Sequence, residues 1–264
     1  MATVKEIYQF IDQKIPFSLQ SNFDNSGFLV GREASNVDCI LIALDITEEV
    51  ISEAAESGAQ LIVAHHPVIF QPAKNITDSD PVGRRILSLI EHGISAICAH
   101  TNLDKIAGGV NDVLAKTVGL QNIEQLHCEG VDGGGIPYGI GRAGVLEAPC
   151  SLTEYVQMIK DALGANGIRF ADGGVPVYKV AVGGGACGNM LDEAAALCCD
   201  TFVTSDIKYD VFLDAKAQGI NMIDAGHYPT ENVVCSVLAD WLSAGFPGIR
   251  VLRSERHSEV LRYL

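Results

Sequence analysis

Two adjacent histidines, His65 and His66, come directly after an apolar run, 61–63, that is typical of a buried strand. Imidazole is the commonest side-chain metal ligand near neutral pH. Neighbours within a regular strand point to opposite faces, but at a strand end both rings can turn into one pocket. Pro67 favours this arrangement, because it holds His66 in an extended conformation. The alternative is a packed core histidine beside a surface histidine.

Further metal-ligating residue types follow two other predicted strands. His100 and Asp104 come after the apolar run 94–99, and His227 comes after 220–225 with Glu231 four residues later. Ligands of open parallel sheets collect beyond the carboxyl ends of the strands. Four of the seven histidines stand at these three strand ends, which scattered structural histidines would rarely do. Taken singly, Asp104 fits a turn and Glu231 fits a helix-start charge equally well.

The number and type of these side chains favour two metal ions rather than one. Three imidazoles and two carboxylates exceed what one catalytic ion with open positions needs. Mixed nitrogen and oxygen ligands favour Zn²⁺, Fe, Mn²⁺ or Co²⁺ over Ca²⁺ or Mg²⁺. A two-metal site activates water at neutral pH, so hydrolysis is the first reaction class to consider. The predicted ligands are His65, His66, Asp104, His227 and Glu231.

The elements that position these residues alternate between strands and helices. In the first half, strands are predicted at 39–45, 60–64 and 94–99, and helices at 48–57 and 82–92. In the middle and second half, the predicted strands are 139–145, 178–182, 201–204 and 220–225, and the helices are 152–163, 189–199 and 209–218. Such alternation indicates an α/β fold with parallel βαβ units and right-handed crossovers.

The two halves resemble each other in pattern. Residues 58–63 align with 198–203, and 93–97 align with 219–223. Internal duplication explains this, and so does the general regularity of βαβ folds. The first half is longer between these points, mainly in the loop 70–80 after the histidine pair. That loop either covers the site or is a plain surface excursion.

Two polar or glycine-rich loops have competing interpretations. Asp24 and Asn25 either form a turn or line a pocket, and composition favours the turn. The run 183–185 of three glycines follows a predicted strand and could approach a phosphate at a helix N-terminus. No Gly-Lys-Ser/Thr sequence follows it, so it is not a P-loop.

Composition bounds the function classes. The formal net charge is -15 with no basic patch, which argues against nucleic-acid binding by a broad positive face. No apolar run approaches the roughly 20 residues that span a bilayer. The N-terminus lacks the layout of a signal peptide, and none of the eight cysteines forms a CxxC pair. These features predict a cytoplasmic protein with reduced cysteines.

Several motifs together resemble the Nif-three-like family, often labelled GTP cyclohydrolase I type 2 homologues. In chain order they are NFDNSGFLVG, ALDITEEV, AHHPVIF, AHTNLD and AGHYPTEN. The resemblance implies a dinuclear centre at the five predicted ligands, with His100 lining the same pocket as a proton carrier or substrate contact. One departure is Asp210, which stands where a histidine is common.

The resemblance also implies an architecture. We expect a single unit over 1–264, the short form without an inserted domain, assembled as a toroidal homohexamer. It would contain two intertwined α/β lobes with mostly parallel mixed sheets, related by duplication, and the metal site would lie between them. Lobe one would cover approximately 1–125 plus 232–264, and lobe two approximately 126–231.

The function predicted from these features is metal-dependent hydrolysis. The family label implies hydrolytic opening of the guanine ring of GTP, but the sequence contains no triphosphate-binding motif. GTP is therefore one candidate among nucleotide-like or other small substrates. The alternative is a non-catalytic metal-binding scaffold, metal carrier or regulatory protein, and a third interpretation is a nucleotide-binding protein that uses the glycine run.

Overall fold

The structure is a computed structural model that describes residues 2–264 and has a mixed α/β fold, as predicted. Its strands are β1 (Ala2–Thr3), β2 (Gly27–Val30), β3 (Asn36–Val37), β4 (Cys39–Ala43), β5 (Leu61–Ala64), β6 (Ser95–Cys98), β7 (Gln121–Gln125), β8 (Gly130–Val131), β9 (Pro137–Tyr138), β10 (Arg142–Cys150), β11 (Arg169–Ala171), β12 (Val177–Val182), β13 (Thr201–Thr204), β14 (Asn221–Asp224) and β15 (Arg250–Arg253). Its α-helices are α1 (Val4–Lys14), α2 (Glu48–Ser57), α3 (Pro81–Glu91), α4 (Thr101–Lys105), α5 (Val110–Thr117), α6 (Leu152–Leu163), α7 (Leu191–Ala196), α8 (Tyr209–Gln218), α9 (His227–Asn232) and α10 (Val234–Gly245).

The chain divides into two compact units. The first contains the residues up to Leu103 together with Cys235–Ser258, and the second contains Asp104–Val234 together with Glu259–Leu264. β7 pairs with β10, so it belongs to the sheet of the second unit, whereas the sequence placed residues up to about 125 in the first lobe. The origin of the two units by duplication stays a prediction.

The sheet of the first unit brings three strand ends level with one another. Its order is β15-β4-β5-β6-β2, and only β2 among these strands runs antiparallel to its neighbour. Ala64 pairs with Ala43 on one side and with Cys98 on the other. Because the register is level, the residues that follow β4, β5 and β6 emerge at one edge of the sheet. Asp45, His65, His66 and His100 all come within two residues of these ends.

The sheet of the second unit has a parallel centre with antiparallel strands on both sides. Its order is β11-β14-β13-β12-β10-β7, with β12, β13 and β14 parallel. Residues 183–185, Asp206 and His227 follow the carboxyl ends of these three strands. His227 begins α9, so Glu231 lies one turn later on the same helix face.

Most predicted elements are present, and the largest differences have local causes. The helix predicted at 189–199 is a short 3-10 turn, Gly188–Met190, followed by α7, which stops before Cys198 adopts a left-handed conformation with φ +56°. β10 begins at Arg142 rather than 139, because Gly141 has φ +74° and turns the chain just before the strand. The helices 48–57, 152–163 and 209–218 and the strand 201–204 have the predicted bounds.

The eight cysteines have free thiols. Over residues 2–264, we find no helix with both the length and the apolar character required for crossing a membrane.

Candidate metal centre

Three histidines of the first unit form one group, which we call the imidazole cluster: His65, His66 and His100. One ring nitrogen from each lies within 4.8 Å of the others. The ring centroids are 4.9 Å apart for His65 and His66, and 5.1 Å apart for His65 and His100. Both rings of the adjacent pair therefore turn toward one space, as the release of the backbone at a strand end allows.

Each ring of the imidazole cluster directs its Nδ1 atom at an oxygen. His65 Nδ1 is 2.8 Å from the carbonyl oxygen of Ala99. His66 Nδ1 is 2.7 Å from Asp45 Oδ1, and His100 Nδ1 is 2.8 Å from Asp24 Oδ1. Carbonyl and carboxylate oxygens only accept, so Nδ1 carries a hydrogen, and in the neutral ring Nε2 carries the lone pair. Metal-binding histidines are oriented in this way by their outer partners.

Asp24, for which the sequence left a turn and a pocket open and favoured the turn, does both: its amide closes a turn on Ser21, and its side chain contacts His100. Its side chain is fully buried and also accepts hydrogen bonds from Ser26 Oγ at 2.8 Å, Thr101 Oγ1 at 2.6 Å and the Thr101 amide at 3.0 Å. Burial would raise the pKa of Asp24, but the hydrogen bonds from His100, Thr101 and Ser26 outweigh it and hold the pKa well below its usual range.

Asp45 has the same role toward His66, and sequence reasoning missed it. Its Oδ1 accepts from His66, and its Oδ2 lies 2.7 Å from His257 Nε2. Burial opposes ionisation of Asp45, but the hydrogen bonds from His257 and His66 outweigh it and hold its pKa well below the usual range. The available signal was its place just after β4, at the same sheet edge as the histidines.

A second group lies in the second unit, and we call it the carboxylate cluster: Asp104, His227 and Glu231. Asp104 and Glu231 are 8% and 3% exposed, and an oxygen of each lies within 4.8 Å of the other. His227 Nδ1 donates to Asp206 Oδ2 at 2.5 Å, and His227 Nε2 is 3.0 Å from Glu231 Oε2.

The contact between His227 and Glu231 tests whether this donor set fits a metal ion. With Nδ1 donating to Asp206, a neutral ring turns the Nε2 lone pair toward a carboxylate oxygen. Two acceptors repel at 3.0 Å, so the contact requires either a proton between the two groups or a cation shared by both. Bonds of about 2.0–2.1 Å to one ion would separate two adjacent ligands by about 2.9–3.3 Å. The donor set fits a divalent ion.

Gly185 shows how closely the backbone approaches this cluster. Its φ is +66°, and a Cβ atom there would clash with Glu231 Oε1 and lie 3.2 Å from His227 Nε2. The Gly184 amide donates to Asn111 Oδ1, and the Gly185 amide donates to Thr230 Oγ1. These two amides therefore serve protein acceptors beside an acidic side chain, which does not favour a phosphate site in the glycine run.

Cys187 follows the glycine run and lies near the carboxylates of this cluster. Burial, together with the nearby carboxylates of Asp104 and Glu231, raises the pKa of the Cys187 thiol to about 12. The thiol donates a hydrogen bond to the carbonyl oxygen of Gly184. The candidate metal-holding groups among the described residues contain only nitrogen and oxygen donors.

The long loop after the histidine pair starts beside the imidazole cluster. The Phe70 ring is 40% exposed and stands edge-on to His100, with centroids 6.0 Å apart. Asn25 Nδ2 donates to the carbonyl oxygen of Ile69 and fixes the chain just before this ring. The following residues 71–79 are exposed. The structure therefore places an aromatic ring next to His100, while a covering role for the rest of the loop stays a prediction.

The predicted site residues thus fall into two groups. His65, His66 and His100 come together in the first unit, and Asp104, His227 and Glu231 come together in the second. The residues that the sequence did not single out are their partners Asp24, Asp45, Asp206 and His257. That the five predicted ligands hold the same two ions stays a prediction.

Comparison with known proteins identifies the family. A family model described as Duf34/NIF3 (NGG1p interacting factor 3) matches residues 2–259. A Clostridium perfringens protein named GTP cyclohydrolase 1 type 2 homolog is 37% identical over 229 residues, 86% of each chain. The solved structure of a Bacillus cereus protein related to NIF3 has a TM-score of 0.94 at 25% identity, covering 100% of this chain and 99% of its own. Staphylococcus aureus protein SA1388 has a TM-score of 0.91 at 29% identity with the same coverage. The chain belongs to the Duf34/NIF3 family.

Proposed function

We propose that this protein binds two divalent metal ions per chain and is a metal-dependent hydrolase of a small substrate. The observation that carries the proposal is the orientation shared by the four histidine rings at the strand ends. Each directs Nδ1 at an oxygen acceptor, which leaves Nε2 as the donor atom. The proposed ligands are His65, His66, Asp104, His227 and Glu231.

The oriented rings support metal binding for an energetic reason. A ligand that is already held in the binding rotamer and tautomer loses less entropy when the ion arrives. Outer partners of this kind change metal affinity by roughly 10–100-fold in known sites. The carbonyl oxygen of Ala99 and the carboxylates of Asp24, Asp45 and Asp206 are these partners here.

The buried carboxylates support the same proposal, because a cation would offset their negative charge. Asp104 and Glu231 are nearly inaccessible and near each other, so two negative charges in this place repel. A divalent cation offsets both charges at once. Nitrogen and oxygen donors together favour Zn²⁺, Fe, Mn²⁺ or Co²⁺.

Hydrolysis follows from what such ions do and from the groups beside them. When bound, a pair of divalent ions supplies Lewis-acid activation of water. His100 is a candidate proton carrier or substrate contact, because Asp24 fixes its orientation and its ring is 18% exposed. Phe70 is a partly exposed aromatic ring beside His100, which suits a substrate with a flat ring, such as a nucleotide base. The curated relatives carry the name GTP cyclohydrolase 1 type 2 homolog, so GTP belongs among the substrates to test.

We also propose, on the family resemblance, a toroidal homohexamer in the cytoplasm. Native mass spectrometry of the purified chain should then give a species of six chains. A monomer at micromolar concentration would contradict the assembly and would leave the metal proposal standing.

The metal proposal is tested by elemental analysis of protein purified without chelator. We expect two ions per chain in the wild type and fewer in Glu231→Gln. Glu147→Gln changes an exposed glutamate of the same unit and should keep both ions. No metal in the wild type, and none bound after addition of Zn²⁺, Mn²⁺, Co²⁺ or Fe²⁺, would remove the proposal.

Catalysis requires a separate measurement. Metal-loaded protein should hydrolyse at least one member of a panel of nucleotides, including GTP, phosphoesters and small amides, and chelation or His65→Ala should abolish the turnover. If two ions are bound but no substrate in the panel is hydrolysed, the result favours the non-catalytic metal-binding protein instead.

A further inference from the structure

A segment near the C-terminus runs along the first unit and ends beside the imidazole cluster. β15 pairs in parallel with β4, with Arg253 opposite Ile42. The Ser254 amide then donates to the carbonyl oxygen of Ile42 at 2.8 Å. Glu53 on α2 accepts hydrogen bonds from the Ser254 hydroxyl and from the Glu255 amide. These bonds fix the course of residues 250–255.

His257 comes directly after this fixed segment and faces Asp45. Its amide donates to Ser254 Oγ at 3.1 Å, and its side chain is only 6% exposed. His257 Nε2 is 2.7 Å from Asp45 Oδ2, and because a carboxylate only accepts, Nε2 is the donor. The other oxygen of Asp45 accepts from His66 Nδ1 at 2.7 Å. One carboxylate therefore joins two imidazoles.

The Asp24–His100 pair shows which kind of hydrogen-bond donor His257 replaces at Asp45. Asp24 faces His100 and is held by Ser26 and Thr101, residues close to either member of the pair in sequence. Asp45 is 40% exposed, and the group that holds its second oxygen is supplied from 212 residues away. A half-exposed carboxylate without a second donor rotates and exchanges partners with water, and it then orients an imidazole poorly.

We propose that His257 is a positioning residue for the imidazole cluster: it fixes the Asp45 carboxylate, which holds His66 in the form with hydrogen on Nδ1 and the metal-donor lone pair on Nε2. The inference rests on the proposed function, since it concerns the affinity of His66 for a metal ion. It assigns to the C-terminal segment a part in metal binding that the strand-end motifs do not contain.

Three variants test whether His257 orients the Asp45 carboxylate or only anchors the C-terminal segment to the first unit. His257→Ala removes the donor to Asp45. His257→Gln keeps an N–H donor on a side chain of similar reach. Arg256→Ala is the matched control, because Arg256 is the neighbouring residue and pairs with Glu56 on α2 rather than with Asp45.

Two readouts are needed. The first is Zn²⁺ affinity by competition with a chromophoric chelator, where His257→Ala should weaken one of the two sites by roughly 10–100-fold. His257→Gln should recover most of that loss, and Arg256→Ala should match the wild type. The second is ring-nitrogen chemical shifts of ¹⁵N-histidine-labelled, metal-free protein. His66 should be in the Nδ1–H form in the wild type and in a mixture of tautomers in His257→Ala.

The outcomes distinguish this inference from the proposed function. If the wild type binds no metal, the proposed function fails, and the tautomer of His66 still decides whether His257 positions it. Unchanged affinity and an unchanged His66 tautomer in His257→Ala would overturn the inference, as would an equal loss in Arg256→Ala. Circular dichroism checks folding, and if His257→Ala does not fold, His257→Asn takes its place, since its shorter amide does not reach Asp45.

Discussion

The two clusters place their negative charge on opposite sides of the imidazole rings. In the imidazole cluster, the carboxylates of Asp24 and Asp45 stand behind the rings and accept from Nδ1. In the carboxylate cluster, Asp104 and Glu231 are themselves predicted metal ligands, and Glu231 faces Nε2 of His227. In the first arrangement, Asp24 and Asp45 accept hydrogen bonds from protein groups, so their charges need no cation nearby. The second brings two buried carboxylates close to one another, so a cation should change its energy more.

This difference predicts different consequences of metal removal. The imidazole cluster keeps its Nδ1 hydrogen bonds with or without an ion, so it should be stable in both states. The carboxylate cluster should gain more stability from an ion, because charge repulsion between buried groups is relieved. Substitutions in the two clusters should therefore separate metal affinity from the stability of the metal-free protein.

The largest effect is expected for Glu231→Gln. Losing a charged ligand should weaken metal binding at least about 100-fold, since ions of this type bind carboxylates by charge as well as by coordination. The metal-free variant should be as stable as the wild type or more stable by about 1 kcal/mol, because one of two neighbouring buried carboxylates is gone and the amide of Gln can donate to His227 Nε2. Titration calorimetry and urea unfolding in chelator measure the two quantities. A loss of stability above about 2 kcal/mol without metal would show that the carboxylates are compensated by the protein alone.

Asp24→Asn, in contrast, should lower the stability of the metal-free protein. The buried carboxylate accepts from His100, Ser26 and both donors of Thr101, and an amide group must turn a donor toward one of them. Leaving such groups unsatisfied should lower the free energy of unfolding of the metal-free protein by about 2–3 kcal/mol. Urea unfolding in chelator measures it. Stability within about 0.5 kcal/mol of the wild type would contradict the view that this network is structural as well as orienting.

Gly185→Ala tests how tightly the backbone encloses the carboxylate cluster. The new methyl group would meet Glu231 Oε1 and must displace it, in addition to the strain of a positive φ. We expect a loss of about 1–2 kcal/mol in stability and weaker metal binding. Gly164→Ala is the matched control, because Gly164 has φ +62° in the same unit with open space around its Cβ position. If both variants lose equal stability and bind metal equally, contact with Glu231 has no role.

Sequence reasoning predicted the parts of this site that depend on local pattern. Apolar periodicity located the strands, and glycines with positive φ, such as Gly58 and Gly219, marked where helices end. Because parallel strands end at one sheet edge, His65, His66 and His100 were predicted to share a place without any knowledge of the tertiary contacts.

The remaining parts depend on contacts between distant segments. Asp24 read as a turn former because its partner His100 lies 76 residues away. His257 carried no signal, since it follows the last strand and meets Asp45 across 212 residues. Cys198 ended a helix in a left-handed conformation without a glycine to mark it. The hydrophobic periodicity of a single sequence predicts its helices and strands, but it does not predict which distant loops contact one another.

The smallest change in stability is expected for Asp45→Asn, and it compares the two aspartate–histidine pairs directly. Asp45 is half-exposed, so water can satisfy groups that its amide leaves unpaired, and we expect a loss of about 1 kcal/mol or less. The amide has one acceptor oxygen where the carboxylate offered two, and His66 and His257 both require one. One imidazole must therefore face an NH₂ group and change tautomer. Urea unfolding and ¹⁵N-histidine spectra should give nearly native stability with an altered ring. A loss as large as that of Asp24→Asn would mean that both carboxylates are structural to the same degree.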